Sequence, residues 1–159
     1  MFAVVVLNYL KEIADFVGGK EEIAKKAEEM AKTVKQAMDD ANVPSLLAMS
    51  YLGYEPESQE VADNTRKLIL SEANPFYYAG TKLSGIGSPH TPVRYVWHIS
   101  KAIEGLTAPT KEEKHQMIHE LMATDGGTGL MHEGVFVDDP TVYTREWFSW
   151  ANAMFCELV

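Results

Sequence analysis

The chain has 159 residues, 46% of them apolar and 23% charged, a globular composition and not a disordered one. With 14 Lys and Arg against 23 Asp and Glu, the formal net charge of −9 argues against a nucleic-acid or anionic-membrane surface, which Lys and Arg would lead. A single cysteine, Cys156, excludes an intrachain disulfide framework and a multi-cysteine zinc site.

Helical spacing of Val6, Leu10, Ile13, Phe16 and Val17 predicts a first helix over 2–17, stopped by Gly18-Gly19. A basic n-region, a longer apolar stretch and a cleavage site are missing there, so no secretory leader is read and a cytoplasmic location is expected. A second helix over about 21–37 carries the stripe Ile23, Ala27, Met30, Val34 and Met38, with acids opening it. The two form an antiparallel hairpin. Residues 39–45 carry turn chemistry. Ser58 caps a helix to about Leu70. The stretch 71–92 is a long glycine- and proline-containing loop, of the kind that is often functional. Thr91-Pro92 then predicts a helix start, with Val93, Val96, Trp97, Ser100, Ile103 and Leu106 turned inward. Thr110 with Glu113 makes a capping box for a helix to about Ala123. A second glycine-rich loop, 124–144, precedes a final helix carrying Trp147, Phe148, Ala151, Met154, Phe155 and Leu158. No strand period of two is visible. The expectation is one all-α domain over 1–159, built of antiparallel helix pairs.

The residues that bear chemistry fall in the loops. Gly126-Gly127-Thr128-Gly129-Leu130-Met131-His132-Glu133 lets backbone approach a ligand beside a titratable pair. A plain turn with an exposed acid is the simpler reading of that segment alone. His90 precedes a helix start, where it would either meet a hydroxyl-bearing ligand or bond to backbone. The acidic turns Asp39-Asp40-Ala41-Asn42 and Asp138-Asp139-Pro140 would either grip hydroxyls or calcium, or cap helices. His115 and His119 stand four apart but lack the adjacent glutamate of a zinc-protease helix, so a solvated face is expected and no metal.

Together these segments resemble glycoside hydrolase family 125, the exo-α-1,6-mannosidases. The resemblance rests on Asp39-Asp40-Ala41-Asn42-Val43-Pro44-Ser45, Asn74-Pro75-Phe76-Tyr77-Tyr78 and Gly85-Ile86-Gly87-Ser88-Pro89-His90-Thr91-Pro92. It continues through Gly127 to Glu133, Asp138-Asp139-Pro140, Tyr143-Thr144-Arg145-Glu146-Trp147-Phe148 and Trp150-Ala151-Asn152. It implies part of an (α/α)6 toroid, action on terminal α-1,6-linked mannose with inversion, and no cofactor. It implies that Glu133 is the general base, with Asp40, Asn42, His90, His132 and Arg145 shaping the mannose subsite. It implies a mannose-containing oligosaccharide as partner.

Departures accompany the likeness. Met1 to Val5 resembles an internal helix of the family, so the catalytic aspartate expected upstream of it is absent. His98 stands where the family usually has proline, and Gly134 where serine is common. The expectation is a truncated, C-terminal portion of the enzyme that lacks the general acid. Its apolar helix faces would be covered by self-association or by a missing N-terminal segment. The alternative function is a catalytically inactive helical fragment for carbohydrate binding or assembly.

Overall fold

A computed structural model of the chain describes residues 10–13, 20–39, 41–42, 46–56 and 58–159. It divides into two compact units, Met1–Asp40 and Ala41–Val159. In the first, residues 10–13 are helical and the rest of the expected first helix lies outside the described residues. Helix α1 spans Glu21–Asp39, with Glu21 and Glu22 in its first turn, where acids meet the positive end of the helix dipole. It buries Ala24 and Ala27, while Ile23 and Met30 of the expected stripe are about half exposed.

In the second unit a 3₁₀ turn at Leu46–Ala48 leads to α2 (Gln59–Ile69), α3 (His98–Leu106), α4 (Lys111–Ala123) and α5 (Ser149–Leu158). Two starts follow the sequence as expected. The Ser58 hydroxyl accepts from the Val61 amide, and the Thr110 hydroxyl from the Glu113 amide at 3.1 Å.

The all-α expectation is overturned. The described residues contain five strands in two antiparallel sheets. Strand β1 (Tyr77–Ala79) pairs with β2 (Ser84–Ile86). Strand β4 (Gly134–Phe136) lies between β3 (Tyr95–Trp97) and β5 (Tyr143–Thr144). The reason for the difference is length. Runs of two or three residues are too short to display an alternation, although Tyr, Val, Trp, Phe and Thr are the residues strands favour. The helix expected from Thr91-Pro92 starts at His98 instead. Arg94 has φ +67°, outside helical backbone, and residues 95–97 pair with β4.

Helix α3 is the axis of the core. His98 to Ile103 and Gly105 are all buried. Ile86, Trp97, Ile99, Ala102, Ile103, Leu121, Met131, Ala151 and Leu158 pack as one cluster with Leu47, Ala48 and Ile69. Gly105 permits the close approach of α3, α4 and α5: a Cβ there would sit 2.7 Å from Leu158 Cδ1 and 3.1 Å from Met117 Cβ. A smaller cluster of Leu83, Val96, Val135 and Val137 fastens the strands to each other.

Candidate active site

Strand register assembles the site. In the three-stranded sheet Trp97 stands opposite Gly134, and Gly134 opposite Thr144. Glu133 precedes Gly134, its amide donates to the Thr144 carbonyl at 3.2 Å, and Arg145 follows Thr144. Two residues twelve apart in sequence therefore meet: Arg145 Nε lies 3.2 Å from Glu133 Oε1. The glutamate side chain is 13% exposed and the arginine 65%. Among the described residues no other side chain bonds to the Glu133 carboxylate. Arg145 has φ +50°, a left-handed conformation that costs a non-glycine residue about 1–2 kcal/mol. Its guanidinium lies over the Phe148 ring, 5.6 Å from the centroid.

The loop before Glu133 is built on Asp125. Its carboxylate accepts from the Gly127 amide at 2.8 Å and the Gly129 amide at 3.0 Å. Gly126, Gly127 and Gly129 all have positive φ, which explains the glycines. At the far end of the loop Asn152 of α5 holds Met131 by both backbone groups, accepting from its amide at 3.1 Å and donating to its carbonyl at 3.0 Å.

His132 is completely buried, stacked on Tyr143 with ring centroids 3.8 Å apart and planes 2° from parallel. Its Nδ1 is 2.8 Å from the Glu146 carbonyl and its Nε2 is 2.9 Å from the Asp125 carbonyl. Its backbone amide donates to His98 Nδ1 at 2.9 Å. Burial and the neighbouring His132 push the His98 pKa down to about 3.

His90 is exposed. Its ring is 6.4 Å from that of Trp97, the strand partner of Gly134. Rings continue outward: Trp97 meets Phe148 edge-on at 6.1 Å, and Phe148 meets Trp150 at 6.2 Å. Trp97 Nε1 donates to the Thr91 hydroxyl at 3.0 Å, so the Thr91 side chain serves the tryptophan and not a helix start. Trp147, expected on the final helix, is 66% exposed and precedes α5, which begins only at Ser149.

Of the sequence candidates, the sheet brings His132, Glu133 and Arg145 together, while His90 stands beside Trp97. Asn42 stands in a turn outside that sheet, beside Ala41, whose carbonyl accepts from buried Asn74 at 2.9 Å. Asp40 lies outside the described residues. The second acidic turn has structural occupations. Asp138 accepts from the Thr81 amide and pairs with Arg94, and both contacts hold its carboxyl below the usual range. Asp139 accepts from the hydroxyl and amide of Thr141, with the same direction of shift. His115 and His119 are exposed on α4, and no group of three metal-ligating side chains forms among the described residues.

Reading residue types missed Asp125, Trp97 and His98 as parts of the site. An aspartate followed by Gly-Gly-Thr-Gly is a visible signal for an amide-capping turn. The His98–His132 contact spans 34 residues and leaves no local signal. The two described cavities lie elsewhere. One of ≈ 270 Å³ is lined by Leu46, Tyr54, Arg66 and Pro109, among others. The other, ≈ 370 Å³, is lined by Tyr77, Ser84, Lys101, Glu104 and Glu120. Neither includes Glu133.

Comparison with known proteins matches residues 35–159 to the family of metal-independent α-mannosidases, GH125. The chain is 48% identical over 123 residues to the meiotically up-regulated gene 157 protein of Schizosaccharomyces pombe, covering 77% of this chain and 24% of that protein. It superposes with a TM-score of 0.72 and 43% identity on a Streptococcus pneumoniae structure. That structure belongs to work on metal-independent α-mannosidases and is described as a non-productive substrate complex with α-1,6-mannobiose. The superposition covers 99% of this chain and 44% of that one. The chain thus spans under half the length of either relative. No helix among the described residues is long and apolar enough to cross a membrane.

Proposed function

This chain belongs to glycoside hydrolase family 125, and from that premise we propose that it carries the general-base half of an inverting hydrolysis of terminal α-1,6-linked mannose. The observation that carries the reading is Glu133. It is a carboxylate leading into the central strand of a sheet, mostly shielded, with one arginine contact and no other described side-chain bond. A base must keep a lone pair free for water, and Glu133 meets that requirement.

In this mechanism Glu133 takes a proton from water as the water oxygen attacks the anomeric carbon. The bond from that carbon to the leaving oxygen breaks on the opposite face, and a second carboxyl group protonates the leaving oxygen. Inverting enzymes hold the two carboxyl groups ~6.5–9.5 Å apart to admit the water. Arg145 pairs with Glu133 through Nε, 3.2 Å from Oε1, and fixes the direction in which the carboxylate points. His90 and the rings of Phe148 and Trp150, joined through buried Trp97, offer a polar tip and apolar faces suited to a sugar ring. We assign Asn42 and Asp40 to sugar contacts by resemblance alone.

The acid is not assigned to any described residue. Asp138 and Asp139 hold turns, and their depressed pKa values suit neither to donate a proton near neutrality. The expected behaviour of the 159-residue chain is α-1,6-mannobiose binding with little or no turnover. Ligand-observed NMR with the mannobiose, followed by assay of free mannose, checks this. Binding without mannose release agrees with the reading. Robust release by the chain alone places an acid within it. The absence of binding favours an assembly fragment instead.

A further inference from the structure

We infer that His132 is a positioning residue that carries a proton on both ring nitrogens at neutral pH, and that this imidazolium clamps the glycine loop to the Arg145–Glu146 segment around Glu133. The argument is one of donors and acceptors. Nδ1 faces only carbonyl oxygens, Glu146 at 2.8 Å and Arg145 at 3.3 Å. A carbonyl has no proton to give, so Nδ1 must donate. Nε2 faces the Asp125 carbonyl at 2.9 Å and the Thr128 hydroxyl at 3.4 Å. The Thr128 proton is committed to the Asp125 carbonyl at 2.7 Å, so its oxygen can only accept. Nε2 must therefore donate as well.

The neighbouring groups fit a cation at this position. Tyr143 presents its ring face to the imidazole at stacking distance, an arrangement that favours positive charge. His98, from α3, offers a bare Nδ1 to the His132 amide, and its Nε2 points at the Thr124 hydroxyl, whose own proton goes to the Glu120 carbonyl at 2.7 Å. His98 is thus the neutral member of the pair, as its lowered pKa requires. The titratable and charged groups around His132 are Asp125 on the loop, His98 on α3 and Tyr143 on β5, with Glu133, Arg145 and Glu146 next along the chain. A neutral His132 would leave one carbonyl facing a lone pair, and the loop would lose one of its two anchors across the sheet.

The catalytic consequence rests on the reading of Glu133 as the base; the protonation state does not. The test uses the 159-residue chain labelled uniformly with ¹³C and ¹⁵N. Long-range ¹H–¹⁵N NMR at pH 7 should show two protonated ring nitrogens for His132, identified by loss of its signals in His132→Gln, and a single one for His98. Raising the pH until His132 loses its second proton should shift the Glu133 carboxyl and Thr128 amide signals with the same midpoint, leaving those of α2 in place. An unprotonated His132 nitrogen at pH 7 overturns the inference, and so does a Glu133 signal that ignores the His132 titration. Failure of Glu133 as a base would appear separately, as unchanged mannose release by Glu133→Gln in a chimera completed with the rest of the Streptococcus pneumoniae relative.

Discussion

Two glutamate–cation contacts in the second unit look alike by distance and differ in everything else. On α3, Lys101 is 4% exposed and its Nζ lies 2.8 Å from both Glu104 and Glu120. Burial alone would lower its pKa, but the two carboxylates outweigh that, and the net direction is upward. Gly85 passes directly over it, where a Cβ would approach Lys101 Cδ to 2.9 Å. The nearby Tyr77 hydroxyl is pushed up by burial and by Glu104. The Glu133–Arg145 pair is single, has one highly exposed member, and sits on left-handed backbone at Arg145. Closed charge networks hold a fold in register. Under the proposed function, a half-open pair on strained backbone keeps the Glu133 carboxylate available.

The contrast breaks most sharply at Lys101. Lys101→Met strands two carboxylates in a shielded pocket and should destabilise the chain by about 3–5 kcal/mol. Adding Glu104→Gln and Glu120→Gln to that variant should recover much of the loss. Urea unfolding of the single and triple variants measures both. A single variant within about 1 kcal/mol of wild type would mean that the triad does not pin α3.

Acid should expose the second difference. The folded chain keeps His98 neutral down to about 3, while the unfolded chain protonates it near 6.5. Stability from this group is intact above 6.5 and drains as pH falls toward 3, at a slope of about 1.4 kcal/mol per pH unit. Asp138 and Asp139 also lose their contribution on acidification, but only below their ordinary value of 3.8. The span from 6.5 to 3.8 therefore reports His98, and His98→Gln should flatten a plot of unfolding free energy against pH there.

The smallest stability effect belongs to Arg145. Arg145 is 65% exposed, so losing its pair with Glu133 costs under about 1 kcal/mol, and glycine relieves the positive φ by a similar amount. Arg145→Gly should therefore unfold within about 1 kcal/mol of wild type, and Arg145→Ala slightly earlier. A loss from Arg145→Gly as large as that from Lys101→Met would erase the distinction between the two pairs.

Much of this was legible along the chain wherever the determinant is local. Ser58 and Thr110 announce their helices because a cap is a contact over three residues. The site segments stand out because glycines and turn acids cluster there. Thr91-Pro92 misled because the same pair suits a loop whose hydroxyl receives a tryptophan N–H, as it does from Trp97. The strands were missed because three-residue pieces carry no period. With them went the register that brings Arg145 to Glu133 and Trp97 to Gly134. His132 stood out as a loop histidine, yet its burial follows from Tyr143 and His98, neither of them a sequence neighbour.

The most direct test of Glu133 as the base is a chimera in which this chain replaces the matching 44% of the Streptococcus pneumoniae relative. Mannose release from α-1,6-mannobiose and mannobiose affinity are measured with and without Glu133→Gln. Glutamine keeps the shape and an acceptor but cannot take the water proton. The account predicts turnover reduced by about 10²–10⁴ with affinity retained. Near-normal release by the variant would contradict it.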